Sequence, residues 1–148
     1  MPEIFAWGRW QSARSGKTRE IRCPADGTLV AQIDEAGPED TDDAIASARA
    51  AFDDGRWANI PARERGDLLS AVADLLVRDK DDIARAESLD TGKRLVESEY
   101  DVDDVVGVFR HYGNVADADR GRVVDTGRSD VVSRIEHDPV GVCGLITP

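Results

Sequence analysis

Residues 133–148 read SRIEHDPVGVCGLITP, and within them Val140, Val142, Cys143, Leu145 and Ile146 form an apolar run broken only by Gly141 and Gly144. An uncharged run of this length suits a strand buried on both faces of a parallel sheet. It ends at Thr147 and Pro148, and the carboxyl end of such a strand is where open α/β sheets hold their ligands. A parallel strand needs a crossover helix and parallel neighbours. The expected class is therefore α/β, with the chain read as the front part of a larger protein.

The composition narrows the partners. Thirty acidic against nineteen basic residues leave a net charge of -11, which argues against nucleic acid and anionic membrane surfaces. Lysine occurs only at 17, 80 and 93. The acidity reads as a solvated surface. Cys23 and Cys143 are too few for a disulfide framework or a paired-cysteine metal site. The amino terminus, MPEIFAWGRW, has no basic segment leading into an apolar one, so the expected location is the cytoplasm.

Earlier in the chain, residues 4–10, 18–22 and 29–33 read as short antiparallel strands, with turns at Gly16-Lys17 and Ala25-Asp26-Gly27. Trp7 and Trp10 read as packing residues. A first helix is expected with Thr41 as N-cap and Asp42 and Asp43 in its first turn; Ala44, Ile45, Ala48, Ala51 and Phe52 form its apolar stripe. A second starts at Pro61 and carries Leu68, Leu69, Val72, Leu75 and Leu76 at helical spacing. A shorter helix is expected over 82–89. A long one follows over 96–118, with Val102, Val105, Val106, Phe109, Tyr112, Gly113 and Ala116 facing the core. Residues 122–125 and 131–138 read as two strands joined by a turn at Thr126-Gly127-Arg128.

Several stretches together resemble the aldehyde dehydrogenase superfamily. They are PADG at 24–27, DDAIASARAAFDDGRWA at 42–58, PARERGDLL at 61–69, ESLDTGK at 87–93, FRHYGNVADAD at 109–119 and DPVGVCGLITP at 138–148. The resemblance covers nearly the whole chain and about the first third of a full-length family member. It implies three parts: 1–120 as the amino-terminal part of a nucleotide-binding domain, 121–139 as strands for subunit association, and 140–148 as the first strand of the nucleotide-binding core. The implied activity is oxidation of an aldehyde to a carboxylate with NAD or NADP, in a homo-oligomer. A semialdehyde or general aliphatic aldehyde dehydrogenase is the alternative within the family. An inactive binding or assembly module is the alternative outside it.

The resemblance places the nucleophile, general base and oxyanion donor downstream of residue 148, so no catalytic residue is assigned and neither cysteine takes that role. Ile146, Thr147 and Pro148 match positions lining the cofactor; from the residues alone they are a strand end. Asp90 resembles an aspartate that helps hold a monovalent cation in some members, and otherwise reads as a helix-end turn residue. Tyr100, Asp101 and Asp104 resemble substrate-tunnel positions of betaine aldehyde and aminoaldehyde dehydrogenases. A carboxylate and an aromatic face both attract a quaternary ammonium. Without the resemblance, the two aspartates are ordinary acids of an acidic chain. His111 and His137 have no ligand-spaced partners in the sequence.

Overall fold

The computed structural model describes residues 3–118 and 121–147. Two antiparallel ribbons lead into four helices, and a third ribbon follows. The strands are β1 (Ile4–Ala6), β2 (Arg9–Gln11), β3 (Thr18–Arg22), β4 (Leu29–Asp34), β5 (Arg122–Val124) and β6 (Ser133–Ile135). The helices are α1 (Pro38–Asp53), α2 (Ala62–Arg78), α3 (Lys80–Thr91) and α4 (Leu95–Val115).

The expected single strand over 4–10 is a hairpin. Phe5 stands opposite Trp10, and Trp7 and Gly8 turn the chain with φ of 56° and 73°, the positive angles a tight two-residue hairpin turn requires. Trp7 tolerates that angle while its amide donates to Ser47 Oγ at 2.8 Å, tying the ribbon to α1. Trp10 packs edge-on against Phe5, with ring centroids 5.1 Å apart.

Helix α1 begins three residues before the expected N-cap. Its cap residue is Gly37, and the Asp40 carboxylate reaches back to accept from the Gly37 amide at 2.9 Å and from the Arg14 amide at 3.2 Å. Asp40 is only 8 % exposed. The same carboxylate therefore satisfies an orphan helix donor and fastens the loop after β2.

Helices α2 and α4 cross closely because small residues face each other. A Cβ on Gly66 would stand 2.3 Å from the Gly113 carbonyl, and one on Gly113 would stand 2.7 Å from Ser70 Oγ. Ala73, Ala84, Val102 and Val106 form the buried core, with Leu76, Ile83 and Phe109 packed against it. The apolar stripes read from the sequence are wider than this contact. Leu68, Val72 and Leu75 on α2 and Val105 and Tyr112 on α4 are exposed, since the crossing consumes the glycine, serine and alanine face and leaves the bulkier rows outside it.

Helix α3 runs longer than expected and stops at Gly92, whose φ of 73° gives the left-handed C-cap. The ribbon β5–β6 matches the expected pair of strands in shorter form. Residues 140–147 depart from the sequence reading. They form no ladder, and Val140, Leu145 and Ile146 are 93 %, 91 % and 99 % exposed. A buried parallel strand requires neighbours on both sides, whereas every described strand already pairs within its own antiparallel ribbon.

Candidate functional site

The substrate-site candidates sit on the amino-terminal half of α4. Tyr100 and Asp104 are one turn apart, so they share a face. Both are exposed, Tyr100 at 67 %. Asp101 points elsewhere: its carboxylate pairs with Lys93 Nζ, which also donates to Glu87 Oε1 at 2.5 Å. Asp101 and Glu87 further line a small cavity of about 290 Å³ with Leu76, Ile83, Val102 and Val105, on the side of α4 that meets α2 and α3. Asp103 is held by Lys80 at 2.7 Å. The structure thus brings Tyr100 and Asp104 together and separates Asp101 from them.

The turn before α4 fixes this arrangement. Gly92 ends α3, Ser88 Oγ donates to the Lys93 carbonyl at 2.8 Å, and Arg94 caps α4 while bonding Glu97 at 2.6 Å. The backbone around Lys93 is pinned on both sides, which aims its side chain between Glu87 and Asp101. The Asp101 bond, followed by that to Glu87, raises the ammonium pKa well above the usual lysine range. The sequence reading passed over Lys93. Its signal was available, because it is one of three lysines in an arginine-rich chain and stands within reach of two acids once α3 and α4 are placed.

Asp90 lies exposed on the last turn of α3. Among the described residues no group of three histidine, cysteine or acidic side chains could hold a metal ion. The site that Asp90 resembles is of another kind, one carboxylate with backbone carbonyls around a monovalent cation.

Of the cofactor candidates, Ile146 and Thr147 are exposed on the extended tail, and Pro148 lies outside the described residues. Behind the tail an open cavity of about 780 Å³ lies between α1 and residues 137–143, with Phe52, Trp57, Arg65 and Cys143 in its lining. Cys143 is an exposed free thiol and Cys23 a buried one. His111 packs edge-on against Tyr112, with ring centroids 5.3 Å apart. Among the described residues no helix is long and apolar enough to cross a membrane.

The family model for the aldehyde dehydrogenase family matches residues 10–148. The chain belongs to the aldehyde dehydrogenase family. It is 43 % identical over 145 residues to betaine aldehyde dehydrogenase of Bacillus subtilis (strain 168), covering 98 % of this chain and 30 % of that protein. It is 38 % identical over 148 residues to retinal dehydrogenase 2 of Gallus gallus, covering 99 % and 28 %. Among solved structures, betaine aldehyde dehydrogenase from Staphylococcus aureus in complex with NAD+ superposes with a TM-score of 0.85 at 34 % identity, covering 92 % of this chain and 27 % of that one. The fold is that of the amino-terminal part of an aldehyde dehydrogenase, as the sequence implied. The chain spans about 30 % of the length of these relatives.

Proposed function

We propose that this chain works as the amino-terminal part of an aldehyde dehydrogenase that oxidises a cationic aldehyde, of the betaine aldehyde class, to its carboxylate with NAD. The observation that carries the reading is the face shared by Tyr100 and Asp104. Asp101 and Asp103 are each held by a lysine, whereas Asp104 forms no ion pair among the described residues. An aromatic ring beside a carboxylate without a partner suits a quaternary ammonium, through cation-π attraction and charge. The likeness to the Bacillus subtilis and Staphylococcus aureus proteins supports the same substrate class.

NAD, when bound, accepts the hydride that the aldehyde carbon gives up. The chain's own part is to hold and orient: Ile146 and Thr147 present apolar and hydroxyl groups at the cofactor side, and Tyr100 and Asp104 receive the ammonium end of the aldehyde. The exposure of Leu145 and Ile146 fits a segment covered by further sheet and cofactor. The ribbon β5–β6, with Val123 on β5 and Val132 just before β6 both exposed, is the surface for subunit association. Two free thiols suit the reducing cytoplasm.

The reading is tested by comparing betaine aldehyde with its uncharged isostere 3,3-dimethylbutanal on the enzyme that carries this chain, following NAD reduction. A kcat/KM at least about tenfold higher for the cationic aldehyde is expected. Equal values would move the enzyme to the general aliphatic class.

A further inference from the structure

Four carboxylates, Glu99, Asp101, Asp103 and Asp104, crowd two turns of α4. A cationic substrate near this helix would feel all of them unless some were neutralised. Lys80 answers Asp103 on the outer side. Lys93 answers Asp101 on the inner side, and it is bonded to Glu87 at the same time. Its side chain is 29 % exposed against 47 % for Asp101, so the ammonium is the more sheltered partner. The pocket behind it is walled by Leu76, Ile83, Val102 and Val105, so the pair meets less water than one on an open surface.

We propose that Lys93 is a positioning residue: it clamps Asp101 to α3 and cancels its charge, so that Asp104 is left as the carboxylate that selects a cationic aldehyde. The proposal deepens the function proposed above and rests on it. Asp101 then serves α4 as an anchor and does not touch the substrate. Selectivity for charge comes from one carboxylate and one ring. The Lys93 ammonium remains protonated throughout the working range because both acids hold its proton.

The test measures KM for betaine aldehyde and for 3,3-dimethylbutanal in the full-length enzyme and in Lys93→Met, Lys93→Arg, Asp101→Asn and the Lys93→Met, Asp101→Asn double variant. Releasing Asp101 in Lys93→Met lowers KM for the cationic aldehyde about threefold relative to the neutral one, as a unit charge some 10 Å away would. Adding Asp101→Asn restores the original ratio, and Lys93→Arg keeps it. Asp101→Asn alone leaves the Lys93 charge answered by Glu87 only, and raises KM for the cationic aldehyde about threefold relative to the neutral one. The proposal is overturned if Asp101→Asn costs the cationic aldehyde as much selectivity as Asp104→Asn does, or if Lys93→Met leaves the ratio where it was.

A second readout is independent of catalysis. Amide hydrogen exchange over residues 95–102 quickens about threefold in Lys93→Met and in Asp101→Asn and no further in the double, as coupled partners require. Additive effects overturn the pairing. A wild-type enzyme blind to the aldehyde's charge, with Asp104→Asn also without effect, removes the function reading and this proposal together. Selectivity that is present in the wild type yet insensitive to Lys93→Met removes the proposal alone.

Discussion

At the residue scale, Asp40 shows how a side chain can look ordinary in sequence and decide a local structure. Thr41, followed by two aspartates, is the stronger N-cap signal. The helix nonetheless starts earlier, because Pro38 fits a first turn and Asp40 caps Gly37 from inside the helix while also holding the Arg14 amide. That second bond joins residues 26 apart, and no local pattern reveals it. The Gly37 amide, then the Arg14 amide and its guanidinium, hold the Asp40 carboxyl below its ordinary value. The folded state thus takes up this proton less readily than the unfolded one. The stabilisation is complete above the ordinary carboxylate range near pH 4 and is lost as the pH falls through the depressed folded value. Asp40→Asn is therefore expected to lower Tm by about 3 °C at pH 7, with the difference from wild type shrinking below about pH 4. A difference that holds constant down to pH 2 would show that the charge is irrelevant.

At the element scale, helix existence was legible and helix facing was only partly so. All four helices appear where the apolar periodicity and turn residues placed them, within a few residues. The leucine rows of α2 suggested the packed face, but the α2–α4 crossing instead runs through Gly66, Ser70 and Gly113. Periodicity weighs apolar size, whereas a close crossing selects for its absence. Gly66→Ala forces a methyl group to within 2.3 Å of the Gly113 carbonyl. It is expected to cost about 1–3 kcal/mol in denaturant unfolding; a neutral or stabilising result would contradict the crossing geometry. The hairpin at Trp7-Gly8 was missed for a similar reason, since tryptophan carries no turn signal and its positive φ is held by the Ser47 bond. The run at 140–146 had the right composition for a buried strand, but sequence cannot report whether partner strands are at hand.

At the scale of the whole molecule, the resemblance read from six motifs agrees with a family match over residues 10–148, because those motifs are local and in order. The charge partners of the site were less legible. Lys93, Glu87 and Asp101 meet only after α3 and α4 fold back on each other. The uncovered row of Val140, Leu145 and Ile146 is expected to make the 148-residue chain self-associate at micromolar concentration, as unpaired apolar segments do. Light scattering that reports a sharply melting monomer would speak against this. The central claim is that Asp104 recognises positive charge in the substrate, and the most direct measurement is kcat/KM of Asp104→Asn in the full-length enzyme with betaine aldehyde and with 3,3-dimethylbutanal. A loss of about 5-fold to 150-fold for the cationic aldehyde, with little for the neutral one, is the expected result. Equal losses for both, or none for either, would contradict the account.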